Sequence, residues 1–208
     1  KLFIGSFDGY FYALDLNGNL LWKFKSAGHR FFPLGEMQGN PVVFGSQVIV
    51  GSRDYNLYAI DTGKGYCHWN IAFQKGWAMG QPLIEGGILY AGTSDDKLLL
   101  AIDPETGRII WQTNLQFNIF GGPAITHGML YIGNLMGKLF AVDQKTGEII
   151  WTFETFAYKL NRFKYFKPDD TYKENLFGTT IKKNEDFLTM YYELGGIFST
   201  PVQILDKL

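Results

Sequence analysis

Cysteine, net charge and long apolar runs are all scarce in this chain of 208 residues. The single cysteine, Cys67, excludes a disulfide within the chain. Its neighbour His68 cannot share a metal with it on a strand, because adjacent strand residues point to opposite faces. Nineteen Lys and Arg against twenty Asp and Glu leave a formal net charge of -1, so no strong field draws the chain to nucleic acid or to an anionic membrane surface. No apolar run approaches the ~18–20 residues that a membrane-spanning helix needs. Nucleophile-elbow, phosphate-loop and zinc-protease motifs are all missing. The three histidines, His29, His68 and His127, stand in different parts of the chain without ligand spacing. There is no secretory leader, and Lys1 opens directly onto a strand-like run, which reads as a mature or excised piece.

Aromatic residues and glycine are plentiful, with 18 Phe, 12 Tyr, 5 Trp and 25 Gly, and they recur in order. The run from Leu2 to Trp22 returns as Val48 to Trp69, Leu89 to Trp111 and Leu130 to Trp151. Each copy carries a glycine (Gly5, Gly51, Gly92, Gly133), then an alanine (Ala13, Ala59, Ala101, Ala141), an aspartate (Asp15, Asp61, Asp103, Asp143) and the tryptophan. Short runs of β-branched, aliphatic and aromatic residues between glycines are strand chemistry. Apolar residues at consecutive positions imply burial on both faces, as in stacked sheets.

Asp8-Gly9 marks a tight hairpin with both residues at positive φ, matched by Tyr55-Asn56, Asp96-Lys97 and Met136-Gly137. The later aspartates close compact turns by accepting hydrogen bonds from the backbone that follows them. The tryptophan, four residues past the turn glycine, suits docking onto the next blade, with its N–H on a backbone acceptor. A further strand, led by Pro41, Pro82 or Pro123, precedes each copy after the first. A repeat of about 40 residues built from four short strands predicts an all-β fold, a β-propeller of four-stranded antiparallel blades.

The pattern Tyr-Ala-x-Asp-x-x-Thr-Gly-x-x-x-Trp, nearly complete from Phe140 to Trp151, resembles the PQQ-like propeller repeat of the quinoprotein alcohol dehydrogenase-like superfamily. The resemblance covers residues 1–155 and resumes at Gly196. That family includes quinoprotein dehydrogenases and also non-catalytic scaffolds such as BamB of the outer-membrane β-barrel assembly machine. The dehydrogenases carry a vicinal Cys-Cys beside the quinone and Ca²⁺ held by Glu, Asn and Asp. Cys67 alone cannot supply the first of these. The resemblance therefore implies a non-enzymatic, protein- or peptide-binding scaffold of the cell envelope, periplasmic or at the cell surface, with no cofactor and no metal. The alternative is a propeller piece of a larger quinoprotein dehydrogenase, or of a metallophosphoesterase–propeller fusion, with catalytic residues elsewhere.

Two ring sizes remain open. The segment from Gly196 ends as a Pro strand without a following unit, and the first unit lacks one. Either the termini close a four-bladed ring, with Val202 or Ile204 beside Leu2–Gly5, or the chain is a slice of a seven- or eight-bladed ring.

Residues 156–195 form an insert. A helix is expected from Asn184, as cap, to Leu194, with a stripe of Phe187, Leu188, Tyr191 and Leu194. Upstream, residues 158–167 interleave bases with aromatics, and read as a partner-binding or lid element or as aromatics packed on the propeller with lysines in water. The partner surface is expected at the end carrying the connections between blades. Its candidate residues are His29, Arg30, Phe31, Lys75, Trp77, Asn118 and Phe120, with Arg162, Tyr165 and Phe166 from the insert, since aromatics and arginine dominate interface hot spots. Phe31, Trp77 and Phe120 serve equally well as plugs between blades.

Overall fold

A computed structural model describes residues 1–202. Fifteen strands form four antiparallel sheets in sequence order. Blade one holds β1 (Leu2–Gly5), β2 (Tyr10–Leu14) and β3 (Leu20–Lys25). Blade two holds β4 (Val42–Phe44), β5 (Gln47–Ser52), β6 (Asn56–Asp61) and β7 (Cys67–Ala72). Blade three holds β8 (Leu83–Glu85), β9 (Ile88–Gly92), β10 (Leu98–Ile102) and β11 (Ile109–Asn114). Blade four holds β12 (Ala124–Thr126), β13 (Met129–Gly133), β14 (Lys138–Asp143) and β15 (Ile149–Glu154). The Pro strands β4 and β8 touch each other, which puts them on the inner side of the array.

The apolar runs of blades two and three are buried on both faces because each of these blades packs on two neighbours. Leu130, Ile132, Phe140 and Val142 of blade four pack against Tyr90, Leu99 and Trp111 of blade three. One joint repeats three times. The rings of Trp22, Trp69 and Trp111 lie on Gly65, Gly107 and Gly147 of the following blade, so close that a Cβ on those glycines would come within 2.6–2.7 Å of the indole. The indole N–H groups donate to Thr62 O (3.2 Å), Pro104 O (3.0 Å) and Gln144 O (3.2 Å) of the same turns. Glycine is required there twice over, for the ring and for a φ of +75° to +76°.

The turn aspartates serve the turns. Their carboxyls are held below the ordinary value by groups of their own turn: the Asn19 side chain for Asp15, the Lys64 N–H for Asp61, the Thr106 hydroxyl for Asp103 and the Thr146 N–H for Asp143.

The first hairpin turn differs from expectation. Only its last residue has positive φ (Gly9 +79°, Tyr55 +70°, Lys97 +61°, Gly137 +88°), so Asp54-Tyr55, not Tyr55-Asn56, matches Asp8-Gly9. Gly9, Lys97 and Gly137 donate their N–H three residues back, to Ser6, Ser94 and Asn134. A turn of this kind needs one left-handed residue rather than two.

The insert holds α1 (Phe156–Tyr165), a short helical turn α2 (Leu176–Thr179) and α3 (Asn184–Glu193). Thr155 caps α1 by accepting the Tyr158 N–H at 3.1 Å. Lys183, not Asn184, occupies the cap position of α3, and Asp186 accepts the N–H of Lys182 and Lys183. Met190 belongs to the inward stripe in place of Leu188, which is half exposed. Gly195, at φ +67°, ends the helix.

Blade four has Leu135-Met136 where each of the other turns carries an aspartate (Phe7-Asp8, Arg53-Asp54, Asp95-Asp96), because the insert sits on it. Both residues are buried in one cluster with Phe117, Tyr158, Tyr165 and Met190. An ion-pair clasp completes the seat. Lys138, 5 % exposed, donates to Asp170 Oδ2 (2.6 Å) and Gln116 Oε1 (3.1 Å). Asp170 also accepts from the Tyr158 hydroxyl (2.5 Å) and pairs with Arg162 (2.8 Å).

The described residues make an open arc. Trp151 is 44 % exposed, and a Cβ built on Gly18, the glycine matching Gly65, would meet nothing within 4 Å. Blades four and one are therefore not joined as the inner pairs are. Val202 is 90 % exposed and pairs with no strand. The expected 197–206 strand is not formed over its described part, 197–202, and the expected pairing of Ile204 lies outside the described residues.

Candidate functional site

Each blade-to-blade connection is stitched to the first hairpin turn of a blade it joins, so these loops and turns share one end of the arc. Arg53, Ser94 and Leu135 donate their N–H to Glu36, Trp77 and Asn118 of the arriving connections. Met37 and Ile197 do the same to Ser6 and Asn134 of the blades being left. Turn aspartates hold the loops as well. Asp54 Oδ2 accepts the Gly28 N–H at 3.1 Å, and Asp96 Oδ2 accepts those of Lys75 (3.2 Å) and Gly76 (3.0 Å).

On this support the connection after blade one folds back at His29 and Phe32, which exchange backbone hydrogen bonds of 2.9 Å and put Arg30-Phe31 at the tip. Phe31 is 63 % exposed, and the Arg30 guanidinium lies 4.5 Å above its ring. Beneath the tip His29 packs on Tyr55 with centroids 4.4 Å apart, and Tyr55 stacks on Trp77 at 5.9 Å and 5°. Phe32 meets Trp77 edge-on at 5.3 Å. Arg53 covers both Phe32 (4.3 Å) and Trp77 (5.4 Å) and pairs with Glu36 at 3.7 Å. Three buried polar atoms here lack a hydrogen-bond partner: Trp77 Nε1, Arg53 Nε and Glu36 Oε2. A surface of aromatic faces and guanidinium groups can hold a polypeptide segment by packing and by polar contacts.

The structure thus gathers His29, Arg30, Phe31 and Trp77, with Lys75 on the adjoining loop. Asn118 and Phe120 belong elsewhere. Asn118 donates to Asp95 at 2.7 Å, and Phe120 lies against Phe198 at 6.1 Å. Phe31 is not a plug, and Trp77 and Phe120 are only half-buried. Three expectations for the insert are corrected. Tyr165 and Phe166 are 2 % and 1 % exposed, because they form the insert's own core. Arg162 is committed to Asp170 and to Pro168 O at 2.8 Å. On α1 the exposed apolar residues are instead Phe156, Leu160 and Phe163, 80, 69 and 54 % exposed.

Sequence reading missed Phe32, Arg53, Glu36 and Tyr55. Only Tyr55 left a signal: a bulky residue where the first and fourth units have glycine, now at φ +70°. Strain of that kind is held by surrounding structure and concentrates at functional sites.

These features define a PQQ-like propeller arc with a decorated loop end. The chain belongs to the family described as outer membrane protein assembly factor BamB, whose model matches residues 8–152. It is 27 % identical to the outer membrane protein assembly factor BamB of Yersinia pestis over 165 residues, covering 73 % of this chain and 40 % of that one. It is 30 % identical to the quinoprotein ethanol dehydrogenase of Pseudomonas putida over 132 residues, 58 % of this chain and 21 % of that one. The crystal structure of BamB from Moraxella catarrhalis superposes with a TM-score of 0.63 at 25 % identity, over 75 % of this chain and 47 % of that one. The chain spans less than half the length of each of these relatives.

The dehydrogenase relative brings a quinone into question, and the one cysteine here cannot form the vicinal pair that the resemblance implies beside it. Cys67 is half-buried on β7, its thiol donating to Trp69 O at 3.1 Å and pushed up by burial. Among the described residues no three of His, Cys, Asp and Glu gather as metal ligands. No helix among them is long and apolar enough to cross a membrane.

Proposed function

We propose that this chain is a non-enzymatic scaffold of the bacterial cell envelope that binds a protein partner at the end of the arc carrying the blade-to-blade connections. The observation that carries this reading is the exposed Arg30-Phe31 tip standing over the His29, Phe32, Tyr55, Trp77 and Arg53 cluster. Membership in the BamB family supports a periplasmic, protein-assembly setting for it.

The test is binding of the labelled chain to detergent-solubilised outer-membrane protein assembly machinery. Replacing both Arg30 and Phe31 by Ala is expected to weaken binding at least tenfold, with thermal unfolding unchanged. Equal binding by the variant overturns the reading. The dehydrogenase reading draws on the 30 % identity to the P. putida enzyme. It requires stoichiometric uptake of pyrroloquinoline quinone with Ca²⁺, followed by quinone absorbance, and the scaffold reading expects none.

A further inference from the structure

We propose that the cleft between blades two and three takes the phenol ring of a tyrosine from a partner polypeptide. The three inner joints share one plan. The residue before the repeat alanine packs toward the preceding blade, and the residue four positions earlier stands in the first hairpin turn. In blade two these are Tyr58 and Asp54. The Tyr58 ring meets Phe24 of blade one edge-on, with centroids 5.1 Å apart. Its hydroxyl donates to Asp54 Oδ2 at 2.6 Å and accepts the Ala27 N–H at 3.1 Å. Blade one repeats the pair, with the Tyr12 hydroxyl donating to Asp8 Oδ2. Blade four has neither member: Met136 stands in the turn, and buried Phe140 fills the joint. Blade three keeps the aspartate and lacks the ring. Asp96 Oδ2 accepts the N–H groups of Lys75 and Gly76, as Asp54 Oδ2 accepts that of Gly28. Leu100 stands where blade two has Tyr58, and Ile71 stands where β3 has Phe24.

These smaller side chains leave a cleft of about 260 Å³, lined by Ile71, Phe73, Gln74, Asp96, Leu98 and Leu100 among others. About 150 Å³ of apolar space is enough to hold benzene. Aliphatic and aromatic walls with one carboxylate match a ring that carries one hydroxyl. The walls bury the ring, and a hydroxyl donating to a carboxylate makes a strong, charge-assisted bond. A phenylalanine ring would strip water from Asp96 and return no hydrogen bond. Gln74 leads along the chain through Lys75 to Trp77 of the aromatic surface, so a segment crossing that surface can lower a tyrosine into the cleft. The polypeptide source of the ring rests on the scaffold reading; the phenol site itself does not.

The test titrates the chain with p-cresol, the tyrosine side chain on its own, and follows the methyl NMR signals of Ile71, Leu98 and Leu100. Saturable shifts are expected in roughly the millimolar range, with toluene binding at least tenfold more weakly. Leu100→Tyr should set its own hydroxyl on Asp96 as Tyr58 does on Asp54, abolish p-cresol binding and raise the thermal midpoint. Ile71→Phe fills the cleft from the other blade and should abolish binding too, whether or not Leu100→Tyr folds. In a second arm the peptide Gly-Gly-Tyr-Gly-Gly should shift the same methyls, and its phenylalanine counterpart should bind at least tenfold more weakly. No p-cresol binding, equal binding of toluene, or undiminished binding by Ile71→Phe would overturn the phenol site. Binding of p-cresol without binding of the tyrosine peptide would overturn the polypeptide as its source. The p-cresol arm involves no partner, so its result stands whether or not the chain binds the assembly machinery.

Discussion

Tryptophan and glycine act as one unit in this molecule, although about 40 residues separate them in sequence. The ring of Trp111 is accepted only because Gly147 has no Cβ and tolerates a φ of +76°. Loss of a packed aromatic of this size costs about 3–5 kcal/mol. Trp111→Ala is therefore expected to lower unfolding free energy by that amount in urea, whereas Ile110→Ala, at a position 43 % exposed, should stay within about 0.5 kcal/mol. A Trp111 effect below about 1 kcal/mol would remove the joint from the account. Tyr55 poses the opposite case. Its left-handed backbone costs roughly 1–2 kcal/mol, and its ring contacts return about as much. Tyr55→Gly should leave stability within about 1 kcal/mol while weakening partner binding, since the stack under His29 and beside Trp77 disappears. A stability loss above about 3 kcal/mol in the same denaturation would show that Tyr55 serves only the fold.

Among the elements, the strands were the legible part. Consecutive apolar residues bounded by glycine, a turn aspartate and a fixed tryptophan all constrain the same short segments, so pattern and packing agree. Helix α1 was not legible for a physical reason. It buries Tyr158 and Tyr165 on one side and exposes Phe156, Leu160 and Phe163 on the other, so no polar face marks a helical period. The insert also brings a charge-dependent clasp. Burial pushes the Asp170 carboxyl up, but the Lys138 ammonium, the Tyr158 hydroxyl and the Arg162 guanidinium outweigh it and hold the group below its ordinary value. A lowered folded value stabilises above the unfolded carboxylate value, about 3.9, and that contribution is lost as pH falls through the folded value. Amide exchange in α1 is thus expected to quicken on acidification below about pH 4, while β9 and β10 remain protected. Asp170→Asn should exchange faster in α1 already at neutral pH, because buried Lys138 then keeps only the more distant Glu154 carboxylate, at 3.8 Å. PH-independent protection of α1 in the wild type would remove the clasp from the account.

At the scale of the whole molecule the fold could be read from four copies of one repeat, whereas the surface could not. His29, Arg30, Phe31 and Trp77 were recognisable as exposed-type residues in connections, but their meeting with Phe32, Arg53 and Tyr55 depends on how a loop from one blade lies over the turn of the next. No spacing within the sequence encodes that. The same reason explains the misplacement of Tyr165 and Phe166, whose apolar character fits a core and an interface equally well. Loop end and turn end of the arc are chemically distinct, and the scaffold reading assigns the partner to the first. A photo-crosslinking side chain at position 31, in the chain exported to the periplasm of a bacterium lacking its own assembly factor, measures this most directly. The account predicts an adduct with the outer-membrane assembly machinery from position 31 and none from position 17, in the Asp15–Gly18 turn at the opposite end. An adduct from position 17 with none from position 31 would contradict it.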